Sequence, residues 1–263
     1  MPELPEVETI TQYLAKRILK KKILNLNFNT PRIFRDHATP KEVEKQIVGA
    51  RIKNIKRIGK NIIFQLSNKR FLLIHLMMTG KILLNPTKIQ PHDRFTLVLS
   101  GNTTVVFNDV RKFGRCRVVS SLDNLFGTDA TAITFPKFQS LLARKTKVKA
   151  FLLNQKLVAG IGNIYADEIL WYAGISPRRT ADSLDQVEIH KLFQSMQKVI
   201  RIAIKAGGTS SRNYRKPDDQ PGDYYPLRRA YHRTGELCGC GKGEIERTII
   251  AQRSTHFCPS HQV

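Results

Sequence analysis

The first eight residues, Met1-Pro2-Glu3-Leu4-Pro5-Glu6-Val7-Glu8, hold the most distinctive chemistry of the chain. Removal of Met1 would turn the Pro2 nitrogen into a free secondary amine. Such an amine can attack an electrophilic sugar carbon and form an imine. A lysine, with an unperturbed pKa of about 10.4, is mostly protonated at neutral pH, whereas an α-amine titrates near about 8. Glu3 and Glu6 follow at once and are close enough to move protons for that amine. Pro5 suits the first residue of a helix, and Glu6 and Glu8 suit its positive first turn. Taken alone, the octet is better explained as the start of a capped amphipathic helix.

A second set of chemical groups lies at the other end. Cys238-Gly-Cys240 and Cys258-Pro-Ser-His261 flank Ile245 to Arg253, a segment able to form a β-hairpin. Two ligand pairs across a hairpin make a four-coordinate structural zinc site, so one Zn2+ held by Cys238, Cys240, Cys258 and His261 is expected. His256 is a rival ligand, though very close to Cys258. The remaining cysteine, Cys116, is remote, and the clustering favours a metal site in a reducing compartment over a disulfide framework.

Between these ends lie weaker signals. In Gly160-Ile161-Gly162-Asn163-Ile164-Tyr165-Ala166-Asp167-Glu168, glycines before a helix would let backbone N–H groups approach a phosphate, with Asn163 and the upstream Lys156 adding contacts. The bland alternative is a tight turn. Lys60, after Gly59, would by default be a solvated strand end. His75 sits in the apolar run Phe71 to Met78, where a histidine is more often a satisfied core residue than a catalyst. Met77-Met78-Thr79-Gly80 reads as packing followed by a turn. Asp109-Val110-Arg111-Lys112-Phe113-Gly114 carries an aromatic between cations, a pattern that can wedge into a base stack but also fits a strand-to-loop junction.

The elements that must position these groups follow from periodicity. Val7, Ile10, Leu14 and Ile18 recur at helical spacing from Pro5 to about Leu19. The period then becomes two: Leu24, Leu26 and Phe28; Ile62, Phe64 and Leu66; Phe95, Leu97 and Leu99, with Ser100-Gly101-Asn102 turning toward Val105 and Phe107. Short strands at this spacing imply a β-sandwich or barrel, and the pattern fades near Asp129. From Phe135 the period is helical. Ser183 and Gln186 suggest a capping box ahead of the stripe Ile189, Leu192, Phe193, Met196, Val199, Ile200 and Ala203, which Gly207-Gly208 ends. A long loop runs from Thr209 to about Tyr225, a length uncommon without a function.

The 263 residues include 44 Lys+Arg against 21 Asp+Glu, a net charge of +23. An excess this large is a footprint for a polyanion such as nucleic acid, ribosomal RNA or an anionic membrane. No apolar run is long enough to span a bilayer and no signal peptide is visible, so a cytosolic or nucleoid protein is expected.

Taken in order, the octet, Gly59-Lys60, His75-Leu-Met-Met78-Thr-Gly, Asp109-Val-Arg111-Lys-Phe113-Gly, Gly160 to Glu168 and Ala251-Gln-Arg253-Ser-Thr closely resemble the formamidopyrimidine-DNA glycosylases, bacterial-type repair enzymes that excise oxidised purines. The resemblance spans essentially the whole chain. It implies an α+β fold: an N-terminal β-sandwich with an N-terminal helix over residues 1–130, a helix–two-turns–helix domain over 131–229 and a zinc-finger β-hairpin over 230–263. It also implies a lesion-capping loop at about 212–224, and a monomer that binds double-stranded DNA carrying oxidised bases or abasic sites in the cleft between its halves.

The same resemblance assigns roles. Pro2 would be the nucleophile at C1′, Glu3 the general acid/base and Glu6 a support for proton transfer and lesion-site geometry. Lys60 would hold the phosphate beside the lesion and assist strand cleavage by β,δ-elimination. His75, Lys156, Asn163 and Arg253 would hold phosphates. Met78, Arg111 and Phe113 would fill the gap left by the flipped base. The chain departs from the family pattern in its Cys-x-Cys pair, in His261 where a cysteine is usual, in Asn154 where aspartate is usual and in Met77 where a smaller residue is common. Rival readings are an endonuclease VIII-like glycosylase for oxidised pyrimidines, a non-catalytic damaged-DNA-binding protein and a zinc-ribbon RNA-binding protein. The loop and the wedge trio favour the purine enzyme over the first. Pro2 and Glu3 argue against the second, and the octet argues against the third.

Overall fold

The period-two stretches become two four-stranded antiparallel sheets in a computed structural model, which describes residues 1–29, 31–34, 39–210 and 214–263. The first sheet has the order β1 (Ile23–Phe28), β6 (Asp93–Leu99), β7 (Thr103–Asn108), β5 (Lys81–Leu84). The second has the order β2 (Ile52–Ile58), β3 (Asn61–Leu66), β4 (Phe71–His75), β8 (Arg115–Val119). Their apolar faces share one core. Phe95, Leu97, Leu99, Val105 and Phe107 come from one sheet, and Ile62, Phe64, Leu66, Leu72 and Ile74 from the other. Helix α1 (Leu4–Ile18) buries Val7, Ile10, Leu14 and Ile18 in the same core, as the spacing predicts. Its first residue is Leu4, and Pro5 stands second.

One predicted alternation fails. In β1 the buried residues are Ile23 and Leu26, and Leu24 is exposed. The register against β6 shifts between Ile23 and Asn25, and such a bulge reverses the faces on either side of it. A short helix, α2 (Pro40–Ile47), adds Val43 and Ile47 to the core.

The described residues group into two units, Met1–Leu125 with Gly207–Asp223, and Phe126–Ala206 with Tyr224–Val263. The second unit is built on helices α3 (Phe135–Leu142), α4 (Val148–Leu153), α5 (Asn163–Ala173) and α6 (Gln186–Lys205). A short parallel ladder pairs β9 (Thr128–Asp129) with β10 (Val158–Ala159), and the antiparallel hairpin of β11 (Glu246–Ile250) and β12 (Arg253–Phe257) lies near the end of the chain.

The apolar stripe of α6 is buried from Ile189 to Ala203, with Phe193 set edge-on to Phe135. Its cap is Asp185, two residues after Ser183, which sits in a 3-10 turn. Asp185 Oδ1 accepts the Glu188 N–H at 2.8 Å, and Glu188 Oε2 accepts the Asp185 N–H at 2.9 Å. Asp185 outcompetes Ser183 because the Glu188 carboxylate is also engaged by the Arg179 guanidinium. Among the described residues no helix is long and apolar enough to cross a membrane.

Candidate active site

The N-terminal octet is built as a rigid mount. Pro2, Glu3 and Glu6 are all buried, Glu6 to 1 % exposure. Glu3 is extended at φ −108° and caps the start of the helix, while its N–H donates to Glu6 Oε2 at 2.7 Å. The other oxygen, Glu6 Oε1, accepts the Thr209 N–H at 2.7 Å. One carboxylate therefore fastens the backbone beside Pro2 to the start of the long loop. The fit leaves no room for a side chain at Gly208, where a Cβ would lie 2.8 Å from Glu6 Oε1. Within the loop, Tyr214 is buried and its hydroxyl donates to the Gly207 carbonyl at 3.1 Å. The Gly222 N–H reaches Ser210 Oγ at 2.8 Å. Of the loop expected at about 212–224, Arg212 and Asn213 lie outside the described residues.

Lys60 is only 6 % exposed, so it is not a solvated strand end. It occupies the two-residue turn that joins β2 to β3, where Gly59 takes φ +58°. Arg57 ties this turn to α1: its Nε donates to Glu8 Oε2 at 2.7 Å and its Nη1 to the Gly59 carbonyl at 3.0 Å. His75 ends β4 beside it, paired in register with Asn61 and Arg115. Burial, with Lys60 and Arg115 nearby, lowers the His75 pKa to about 4. Its Nδ1 accepts the Met77 N–H at 3.0 Å.

The three wedge candidates come together on the surface of this unit. Met78 and Phe113 are exposed to 42 % and 39 %. Arg111 joins them, with Nη1 3.3 Å from Met78 Sδ and its guanidinium 4.6 Å above the Phe113 ring.

In the second unit the residues named for phosphate contact lie around α5. Asn163 opens the helix, and its Nδ2 donates to the Ser254 carbonyl at 2.9 Å, while its buried Oδ1 has no hydrogen-bond partner among the described residues. Lys156 is exposed, in a turn where Asn154 Oδ1 accepts the Lys156 N–H at 3.0 Å, so asparagine serves at 154 as a local turn former. Arg253 is exposed at the tip of the β11–β12 hairpin.

Sequence reasoning passed over the groups that hold this hairpin. Lys149, fully buried, donates to Asp167 Oδ1 at 2.6 Å, to the Ser254 carbonyl and to Thr255 Oγ1. Asp167 Oδ2 accepts the His256 N–H at 3.0 Å and lies 2.9 Å from His256 Nδ1. The neighbouring Glu168 accepts the N–H groups of Arg229, Ala230 and Tyr231 at 2.7 to 2.9 Å. Burial raises its pKa against the pull of those three bonds. The acidic pair of the Gly160–Glu168 motif is thus structural. Its only sequence signal was two adjacent carboxylates in a mostly apolar helix.

The sulfur atoms of Cys238, Cys240 and Cys258 lie within 4.8 Å of one another. The Cys240–Cys258 separation is 4.0 Å, close to the tetrahedral edge of about 3.8 Å that zinc–sulfur bonds impose. The Trp171 Nε1–H and the Lys242 N–H point at Cys238 and Cys240 sulfurs at 3.2 and 3.4 Å. Three thiols with N–H donors aimed at them suit a soft divalent metal. His261 is not part of this group, and its Nε2 lies 2.8 Å from the Trp171 carbonyl. His256 is committed to Asp167.

A family model described as the formamidopyrimidine-DNA glycosylase N-terminal domain matches residues 1–116, and one described as the formamidopyrimidine-DNA glycosylase H2TH domain matches residues 126–215. The formamidopyrimidine-DNA glycosylase of Carboxydothermus hydrogenoformans is 40% identical over 267 residues, with 100% of each chain covered. That of Lactococcus lactis subsp. lactis is 39% identical over 272 residues, with 98% of each covered. Among solved structures, a complex of Lactococcus lactis Fpg with DNA containing an abasic site matches with a TM-score of 0.90 at 35% identity, covering 99% of both chains. A mutant of that protein bound to DNA containing Fapy-dG matches with a TM-score of 0.91 at 35% identity and the same coverage. A β-sandwich with Pro2 and Glu3 buried at the start of its first helix, followed by an H2TH domain and a cysteine hairpin, is the build of a DNA-repair glycosylase. The chain belongs to the formamidopyrimidine-DNA glycosylase family.

Proposed function

We propose that this glycosylase excises oxidised purines, 8-oxoguanine and formamidopyrimidines, and then cleaves the strand as an AP lyase. The observation that carries the reading is the buried Pro2-Glu3 pair fixed by Glu6, which also grips the start of the long loop. With Met1 removed, the Pro2 nitrogen attacks C1′ of the flipped nucleotide. The bond from C1′ to the base breaks, and the base leaves with a proton. Glu3 protonates the ring oxygen as the sugar opens. Because proline is a secondary amine, the product is a cationic iminium, which acidifies the C2′–H. Loss of that proton expels the 3′ phosphate, and a second elimination expels the 5′ phosphate.

Lys60 and His75 would hold the phosphate beside the lesion, with Lys156, Asn163 and Arg253 on others. Such contacts position the duplex without reading its sequence. Met78, Arg111 and Phe113 would enter the space left by the flipped base, offsetting part of an unstacking cost of a few kcal/mol. The loop at about 212–224 would cover the base. One zinc ion held by Cys238, Cys240 and Cys258 would cross-link the knuckle. His261, which lies outside the three-sulfur group with its Nε2 2.8 Å from the Trp171 carbonyl, would complete the set as the fourth ligand. The same reading makes the protein a monomer at the bacterial nucleoid in the cytoplasm.

The reading is tested by comparing excision of 8-oxoguanine and thymine glycol from otherwise identical duplexes. Preference for 8-oxoguanine, lost by about 100-fold or more in Glu3→Gln, is expected. Preference for thymine glycol would point to the pyrimidine-type enzyme instead. Unimpaired excision by Glu3→Gln would remove Glu3 from its role.

A further inference from the structure

We infer that the Thr79 hydroxyl and the Asp109 carboxylate form a latch that locks the Met78 loop to the Arg111–Phe113 loop, so that the wedge side chains enter the base stack as one body. This rests on the wedge role proposed above for Met78, Arg111 and Phe113.

The two loops are far apart in sequence and meet at one carboxylate. Asp109 is fully buried, and its backbone is pinned on both sides. Its N–H donates to the His92 carbonyl at 3.0 Å, and its own carbonyl accepts from Arg94 Nε at 2.7 Å. From this fixed base, Oδ2 accepts the Gly114 N–H at 2.8 Å. Oδ1 accepts the Thr79 hydroxyl and, at 3.3 Å, the Arg111 N–H. Thr79 Oγ1 in turn accepts the same Arg111 N–H at 3.3 Å. The backbone of Arg111 is thereby tied to a side chain in the loop of Met78.

Packing repeats the convergence. A Cβ on Gly80 would lie 2.9 Å from Phe107 Cζ, and one on Gly114 would lie 2.4 Å from the same atom. Both loops therefore close onto one core ring. Each loop also carries a residue in the left-handed region, Met77 at φ +53° and Lys112 at φ +56°, next to a wedge side chain. Side chains larger than glycine rarely adopt that conformation unless their surroundings impose it. A charged acceptor shared by a hydroxyl and two backbone N–H groups is a strong means of imposing it.

The outer tips are joined more loosely, by the Arg111–Met78 and Arg111–Phe113 contacts, and all three side chains are exposed. The latch carboxylate is fully buried, while Thr79 is half-buried. Thr79 is accordingly a positioning residue and not a catalytic one.

The test uses the full chain with metal bound and a duplex carrying 8-oxoguanine with 2-aminopurine as its neighbour, whose fluorescence rises when the wedge unstacks it. In the otherwise unaltered protein, Met78→Ala and Phe113→Ala should each slow the rise and should combine non-additively, as coupled groups do. Thr79→Val, which keeps shape and loses the hydroxyl, should slow the rise about tenfold, the size expected for one hydrogen bond to a buried charge, and should make the two alanine effects additive. Thr79→Ser should restore both rate and coupling. Coupling retained in the Thr79→Val background, or failure of Thr79→Ser to rescue, would overturn the latch. If Met78→Ala and Phe113→Ala alone leave the fluorescence rise unchanged, the wedge role itself is wrong, and the latch falls with it.

Discussion

His75 offers a phosphate no positive charge at neutral pH. Burial, reinforced by Lys60 and Arg115, moves its pKa from the ordinary 6.5 down to about 4. Nδ1 accepts the Met77 N–H, so the ring proton sits on Nε2 and any contact with DNA is a neutral N–H donation. The folded state prefers the uncharged ring. Its contribution to stability is therefore complete above pH 6.5 and is lost as pH falls from 6.5 toward 4, where protonation also breaks the hold on Met77. In an NMR titration the His75 ring signals should stay flat from pH 8 to 5.5. A midpoint near 6.5 would contradict the burial. From the sequence alone the default for Lys60 is a solvated strand end, whereas the folded chain buries it. Burial at a strand end depends on what packs over the turn, here α1 through Arg57 and Glu8, which lies far from Lys60 in sequence.

At the level of elements, the terminal hairpin was legible from its flanking cysteines, but its turn was not. Ala251 and Gln252 take φ +50° and +57°, the left-handed pair that usually calls for Asn-Gly. Nothing in Ala-Gln signals that geometry, so the sequence gives a hairpin without its register. The network that imposes it, Lys149 on Asp167 and on β12, joins residues 18 and 105 or more positions apart, beyond any periodicity. Releasing the conformational cost should stabilise the protein: Gln252→Gly is expected to raise the unfolding free energy by about 1 kcal/mol, measured by denaturant melting of the metal-loaded protein. A destabilised Gln252→Gly would mean that the side chain holds the turn. Similar reasoning explains Leu24. A bulge in β1 shifts the alternation by one, and no local feature of Ile23-Leu24-Asn25 announces it.

Across the whole molecule, the sequence carries the order of elements well, because helical and strand periods change where the architecture changes. The sandwich core and the α6 stripe were both readable for that reason. The site was legible as a set of motifs and illegible as a machine. No spacing shows that Glu6 serves Glu3 and Thr209 together, or that Asp109 serves two loops. Glu6 fixes the backbone of the octet to Thr209, and Asp109 fixes the loop of Met78 to that of Arg111 and Phe113. The +23 charge supplies the general attraction to a polyanion, which must weaken with salt, and says nothing about which base is attacked.

The most direct test of the proposed chemistry is borohydride trapping on a duplex carrying 8-oxoguanine opposite cytosine, with loss of Met1 established by intact mass. If the Pro2 nitrogen is the nucleophile, reduction fixes a covalent protein–DNA adduct that maps to Pro2 and disappears in Pro2→Gly. An adduct mapping to a lysine, or no adduct from metal-loaded protein that lacks Met1 and still excises the base, would contradict it.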